Sequence, residues 1–332
     1  MPRILMLYTG GTIGMADTPE GLAPAPGLLP RLIARLPEGR CELDIVEYPQ
    51  LIDSSAITPA HWRQIVGDIV GRRDQFDGFI VVHGTDTMAY TASMLAFALQ
   101  GLAKPVVVTG SQLPLIRPGS DGWTNLSDAI EAACQPDLQE VVIVFDRVML
   151  RGCRARKVDA AGFHGFDSPN CPPLAEFGIV PAWHRARWRS ASGALSDQAP
   201  QLDANVAAFF LTPGAGAGLI GAALSAQPLD GAVLMSYGNG NAPDDEALLA
   251  GVSAAAARGT LVLNITQALR GAVAPGAYAA SQPLVRAGAV PGGDLTPEAA
   301  VAKLLWVCAL PVDMVQKRDA LTRDWVGEVA VN

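Results

Sequence analysis

The chain has 332 residues, half of them apolar and 17% charged, a composition that suits a globular protein large enough for two domains. Its formal charge is −8 and no basic run interrupts the sequence, so neither nucleic acid nor an anionic membrane surface is expected as a partner. No apolar stretch approaches the roughly 18 residues of a membrane span; the run at 301–312 is broken by Lys303.

Met1-Pro2-Arg3 leads directly into a strand pattern. The basic, apolar and small-residue series of an export signal is missing from this start, so a cytoplasmic location is expected. Five cysteines (Cys41, Cys134, Cys153, Cys171 and Cys308) are scattered, with no CxxC pair and no neighbouring histidine. That pattern suggests neither a disulfide framework nor a metal site.

The elements alternate from the start. Residues 4–8 read as a buried strand, 28–36 as a short helix and 42–48 as a second strand. Thr58 and Pro59 pair an N-cap with a proline at the first helical position, opening a helix to about Arg73. A third strand is expected at 79–82, a helix at 88–102, a fourth strand at 106–108, a helix at 124–134 and a fifth strand at 141–145. Strands alternating with helices define βαβ units, and hence a mostly parallel sheet with right-handed crossovers. Residues 183–206 lose periodicity and read as a linker between an N-terminal domain at 1–182 and a C-terminal α/β domain at 207–332. In the latter, strands are expected at 207–211, 232–235 and 261–265, with helices at 217–226, 244–257 and 297–309.

In open parallel sheets, ligands bind beyond the carboxyl ends of the strands. The residues just past each N-domain strand are Thr9-Gly10-Gly11-Thr12, Asp53-Ser54-Ser55, His83-Gly84-Thr85-Asp86-Thr87, Thr109-Gly110-Ser111-Gln112 and the basic stretch from Arg151 to Lys157. Hydroxyls, carboxylates and one lysine therefore gather on one rim. Each also has a plainer reading. Gly10-Gly11-Thr12 serves equally as a tight turn with a threonine cap. It has neither P-loop nor dinucleotide-fingerprint spacing. Asp86 and Thr87 are residue types that cap helices, although one cap does not need four polar residues. His83 follows an apolar strand and suits a hydrogen-bonded structural role better than a catalytic one. Lys157 lies among arginines, where most lysines are solvated. Asp17, Asp121 and Asp128 read as turn or helix-start residues.

A threonine hydroxyl is a weak nucleophile until a base takes its proton. No Ser-His-Asp pattern is present, and a lysine can serve as the base. Its ordinary pKa near 10.4 would have to fall by about 3 units, roughly 4 kcal/mol, for work near neutrality. Burial can supply such a fall. Thr, Lys and Asp together point to acyl transfer on a small, polar amide or ester.

These motifs resemble the bacterial-type L-asparaginases, and within them the cytoplasmic type I branch. YTGGTIGM and HGTDTMAYTASML are similar to the two signatures of that family, and DSSAITP, TGSQLP, SPNCPPL, SYGNGNAP, NITQ and GGDLT follow in order. The resemblance implies two α/β domains, the larger with a flavodoxin-like sheet. It implies homodimers, paired into tetramers, with each site at a dimer interface. It implies hydrolysis of L-asparagine to L-aspartate and ammonia without metal or cofactor. Thr12 then matches the nucleophile, and Thr85, Asp86 and Lys157 match a second catalytic group. Asp53 and Ser54 match residues that hold the α-amino and α-carboxylate groups. Gly84 joins them in the substrate set, Ser111 matches a position whose backbone faces the side-chain amide, and Asn241 matches a residue from the neighbouring subunit. Leu22 stands where many members carry a loop tyrosine, and Ala268 where type I members carry an effector-site cysteine. A broader glutaminase-asparaginase and a weakly catalytic amino-acid-binding homologue are the competing readings.

Overall fold

Apolar runs too short for helices become the central strands of the first unit. In the computed structural model, which describes residues 1–19, 21–34, 39–274 and 282–330, the chain divides into Met1–Ala199 and Pro200–Asn332. In chain order the strands of the first unit are β1 (Arg3–Gly10), β2 (Met15–Thr18), β3 (Gly21–Pro24), β4 (Glu42–Ile52), β5 (Gly78–Val82), β6 (Val106–Thr109), β7 (Val141–Phe145), β8 (Val148–Arg151), β9 (Arg156–Lys157), β10 (Phe166–Asp167), β11 (Ala175–Glu176) and β12 (Ala182–Trp183). Its helices are α1 (Leu28–Ile33), α2 (Pro59–Val70), α3 (Met88–Ala98) and α4 (Gly122–Ala133).

The main sheet runs β12-β11-β8-β7-β6-β5-β1-β4. The pairings from β4 through β7 are all parallel, so the five strands stand in flavodoxin-like order, second-first-third-fourth-fifth. Strands β5 and β7 are buried at every residue, which is why they read as unbroken apolar runs. Alternate residues (Ile4, Met6, Tyr8, Ile80, Val82, Val107, Val142, Val144) share one core with Leu126, Ala129 and Ala132 of α4 and Leu29 of α1. The intervening residues face the opposite layer. There α2 packs on α3, and the Trp62 indole N–H donates to the Thr91 hydroxyl at 2.9 Å.

Several elements depart from the sequence reading. The helix expected at 28–36 ends at Ile33 among the described residues, and 35–36 lie outside them. The chain beyond Gly14 forms an antiparallel hairpin, β2 on β3, in which exposed Leu22 sits opposite Asp17. Asp17 is thus a strand residue, ion-paired with Arg117 at 2.6 Å. Asp128 lies inside α4, buried, 3.1 Å from Arg147. The antiparallel strands β8, β11 and β12 extend the sheet beyond β7. Two-residue strands carry no periodicity, so they leave no trace in sequence. Trp183, at the start of the segment expected to be a linker, packs against Phe177 and Trp188 in the first unit. The division between units falls at 199/200.

The second unit has a parallel sheet of β13 (Val206–Phe210), β14 (Gly231–Ser236), β15 (Leu261–Thr266) and β16 (Val290–Pro291), in that order. Its helices are α5 (Gly216–Ala226), α6 (Glu246–Ala257), α7 (Gln282–Arg286), α8 (Pro297–Cys308) and α9 (Met314–Thr322). One core joins α5, α6 and α7 to the sheet and another joins α8 and α9 to it, a three-layer α/β arrangement. Three helix starts are capped by side chains: Asp245 to Leu248 N–H, Thr296 to Ala299 N–H and Asp313 to Gln316 N–H. Among the described residues no helix is long and apolar enough to cross a membrane.

Candidate active site

In this strand order the topological switch point lies between β1 and β5, where successive crossovers turn to opposite faces. The loops that leave these two strands meet there without side chains between them. Gly11 has φ 96°, and a Cβ on it would fall 2.5 Å from the Gly84 nitrogen. Gly84 in turn lies against Ser54, whose Oγ a Cβ would meet at 2.5 Å. Three loops, following β1, β4 and β5, are therefore drawn into one contact. The Thr87 hydroxyl closes it by donating to the Ser54 carbonyl at 2.7 Å.

Thr12 opens the 3-10 turn Thr12–Gly14, half-buried between buried Gly11 and Ile13. Thr85 is buried, one residue beyond Gly84. The Lys157 ammonium, on β9, donates to the Thr85 hydroxyl at 2.8 Å and to Asp86 Oδ1 at 2.7 Å. Asp86 is exposed, whereas Lys157 is largely covered. The Thr85 hydroxyl itself is 3.4 Å from Gln112 Oε1, and Gln112 Nε2 donates to the Gly162 carbonyl at 2.9 Å. Gln112 stood on the rim in the sequence but had no role there. Its link to Thr85 is tertiary and has no local signal.

Asp86 and Thr87 do not cap α3. Thr87 occupies the N-cap position with no capping side-chain bond, and Asp86 is turned to Lys157. Their oxygens serve the rim rather than the helix.

His83 is structural. Its Nδ1 lies 2.7 Å from the Gly84 carbonyl, which can only accept, so Nδ1 carries the proton. Nε2 then accepts from the Thr91 hydroxyl at 3.0 Å. Burial depresses the imidazole to about 4, a neutral ring that fits this pattern.

Asp53 is exposed and accepts from Ser55 N–H at 2.9 Å through one oxygen; Ser54 beside it is buried. Ser111 is buried behind the turn of Thr12, since a Cβ on Gly122 would meet both Ser111 Cβ and Ile13 Cγ1 at 3.2 Å. The first unit thus gathers Thr12, Asp53, Ser54, Gly84, Thr85, Asp86 and Ser111 at the carboxyl ends of its parallel strands, and Lys157 reaches Thr85 and Asp86 from the separate antiparallel ribbon of β9 and β10. Asn241 belongs to the second unit, in the turn after β14, where its N–H donates to the Tyr237 carbonyl at 2.8 Å. Its buried Oδ1 has no hydrogen-bond partner among the described residues. Among those residues no group of three or more His, Cys, Asp or Glu side chains could hold a metal ion.

A hydroxyl, a lysine and a carboxylate thus meet at the switch point of a doubly wound α/β sheet. Residues 3–189 match the family described as Asparaginase, N-terminal, and residues 205–321 match the Glutaminase/Asparaginase C-terminal domain. The chain is 41% identical to L-asparaginase 1 of Escherichia coli (strain K12), over 98% of this chain and 97% of that one. It is 37% identical to the 60 kDa lysophospholipase of Mus musculus, covering 99% of this chain and 63% of that protein. The crystal structure of L-asparaginase I from Vibrio cholerae superposes with a TM-score of 0.88 at 38% identity, covering 99% of both chains. The chain belongs to the asparaginase family.

Proposed function

We propose that the protein is an L-asparagine amidohydrolase that works through a threonine acyl-enzyme. The observation that carries this reading is the Lys157 ammonium held between Thr85, at 2.8 Å, and Asp86, at 2.7 Å, on the loop that Gly84 presses against Gly11, next to Thr12. Thr12 Oγ attacks the side-chain carboxamide carbon and its proton passes to the leaving nitrogen. Ammonia departs and leaves a β-aspartyl ester on Thr12. Water then attacks that ester, releasing L-aspartate and returning the proton to Thr12. Thr85 relays protons, and Lys157 and Asp86 orient it by two charge-assisted hydrogen bonds.

Asp53, Ser54 and Asp86 hold the α-amino and α-carboxylate groups, and Gly84 lets the loop that carries Thr85 close onto Ser54 beside them. The Ser111 backbone faces the carboxamide. Asn241 reaches the substrate from a second copy, in a homodimer that pairs into a tetramer in the cytoplasm. The unit at 1–199 carries the threonines, the unit at 200–332 is the C-terminal domain, and the reaction uses no cofactor. The name of the 41%-identical relative supports the substrate, and the family match supports the two-domain division.

The test is ammonia release from L-asparagine, with L-glutamine in parallel, for the native chain and Thr12→Ala. Release from asparagine that collapses in the variant is expected. A comparable glutamine rate would make the protein a glutaminase-asparaginase. Binding of asparagine without ammonia release would overturn the reading in favour of an amino-acid-binding homologue, with Leu22 supplying no proton-transfer group in its hairpin.

A further inference from the structure

Asp121 occupies the N-cap position of α4 yet does not cap it. Its backbone is helical, with φ −67°, and its carboxylate forms no capping bond. The carboxylate is turned back onto the loop after β6. It accepts the Gln112 N–H at 2.9 and 3.1 Å and the Leu113 N–H at 3.0 Å. It also accepts from Asn125 Nδ2 at 3.1 Å. Asn125 is 1% exposed and joins two loops. Its Nδ2 donates to the Gly110 carbonyl at 2.9 Å, and its Oδ1 accepts the Asp146 N–H at 3.0 Å. Two hydroxyls complete the frame, for Ser111 Oγ and Ser120 Oγ both donate to the Leu113 carbonyl, at 2.5 and 2.9 Å.

The backbone groups on either side of Ser111 are thus committed, whereas its own carbonyl accepts from no described residue. This loop is also fixed to the turn that carries Thr12. Leu115 N–H donates to the Ile13 carbonyl at 3.0 Å, and Gly122 leaves no gap between Ser111 and Ile13. Four hydrogen bonds to one carboxylate and its amide partner are more than a surface loop needs. They fix the direction of one peptide unit.

We propose that Asp121 and Asn125 are positioning residues that hold the Ser111 carbonyl in register with the scissile group, and that this register selects amides over esters. The inference rests on the amidohydrolase reading. A carboxamide nitrogen carries hydrogens that a fixed carbonyl can accept, and an ester oxygen carries none. An ester would set its oxygen against the carbonyl oxygen instead. Loosening the carbonyl therefore weakens amide turnover and leaves ester turnover nearly unchanged. A residue that only stabilised the fold would lower both alike.

The experiment compares L-asparagine with the β-methyl ester of L-aspartate, as kcat/KM, in the native chain and Asp121→Asn. Asparagine retains the carboxylate-accepting geometry only partly, because its amide nitrogen faces the loop N–H groups. The ratio of amide to ester turnover is expected to fall about tenfold, as for one displaced hydrogen bond. Ser120→Ala, which removes one hydroxyl from the same frame, should lower the ratio in the same direction by a smaller factor; it decides the matter if Asp121→Asn does not fold. Equal loss on both substrates, or an unchanged ratio, would overturn the inference while leaving the amidohydrolase reading intact. A native chain that hydrolyses neither substrate would overturn both.

Discussion

Lys157 reaches across 72 positions of sequence to donate to the Thr85 hydroxyl at 2.8 Å. The same ammonium is held by Asp86 at 2.7 Å. Removing the amine should cost activity rather than stability. The Asp86 carboxylate is largely solvated, and pairs of that kind contribute under about 1 kcal/mol. Loss of the group that orients a proton-transfer residue such as Thr85 costs about 10² to 10⁴ in rate. Lys157→Met should therefore lower kcat by that range with a melting midpoint within about a degree or two of native. Ammonia release at saturating asparagine, measured beside a thermal melt, checks it. A rate within about threefold of native would remove Lys157 from the chemistry.

The contact of Gly11 with Gly84 makes a second prediction. Gly11 stands at φ 96°, and a methyl group there would lie 2.6 Å from the Gly84 Cα and 2.8 Å from the His83 carbonyl carbon. Gly11→Ala must push apart the two loops that carry Thr12 and Thr85. A displacement of about 1 Å costs about a hundredfold in rate. Gly21 separates strain from collision, since its φ is 118° and a methyl group there meets nothing within 4 Å. Gly21→Ala should lower stability by about 1 kcal/mol and leave turnover close to native. Equal activity in the two variants would mean that the loop contact does not set the site.

The contrast between what the sequence discloses and what it hides has a physical basis. Strands β5 and β7 were legible because a parallel strand covered on both faces reads as an apolar run. The rim was legible for a related reason: once the strands are placed, the residues after them fall on one edge. Asp86, Thr87 and Asp121 resisted reading because a helix-start residue looks the same whether or not it caps. Only the tertiary fold turns their oxygens to Lys157, to Ser54 and to the Gln112 and Leu113 amides. Asn241 entered through family resemblance alone, because nothing local separates it from any other turn asparagine. Strands β11 and β12 are two-residue additions to a sheet that already exists, so no pattern announces them.

His83 predicts a pH response. Burial lowers its imidazole from 6.5 to about 4, so below about 6.5 the unfolded chain takes up a proton that the folded chain refuses. Stability then falls as pH drops from about 6.5 to 4, by up to about 3 kcal/mol at one pKa unit per 1.36 kcal/mol. Asp128 works in the opposite sense over nearly the same window. Burial raises its carboxyl to about 6 against the pull of Arg147, so its folded form gains protons first and stability rises as pH falls from about 6 to 3.8. The two can be separated by variants. His83→Gln should flatten the loss of stability below pH about 6.5, and Asp128→Asn should steepen it. Melting curves from pH 7.5 down to 4.5 give the slopes. An unaltered slope in His83→Gln would show that this histidine titrates as readily folded as unfolded.

The last prediction concerns a residue that looked like an interruption. Lys303 breaks the apolar run at 301–312, yet its side chain is fully buried and its ammonium lies 2.7 Å from Glu328, which is fully buried as well. The ammonium also donates to the Arg323 carbonyl at 2.6 Å. Glu328 accepts from Trp325 N–H at 3.0 Å and Val326 N–H at 2.8 Å. The pair therefore fastens the segment after α9 onto α8, far along the chain from Thr12 and Thr85. Desolvating two charges offsets most of what their attraction contributes, whereas stripping one partner leaves the other buried with its charge. Lys303→Met should destabilise by about 3 to 5 kcal/mol. The double variant Lys303→Met with Glu328→Gln should recover part of that loss, because no net charge remains in the core. Urea unfolding of the native chain, both single variants and the double variant closes the cycle. Strict additivity of the two single effects would mean that the ion pair has no coupling, and that the segment is held by its tryptophan packing alone.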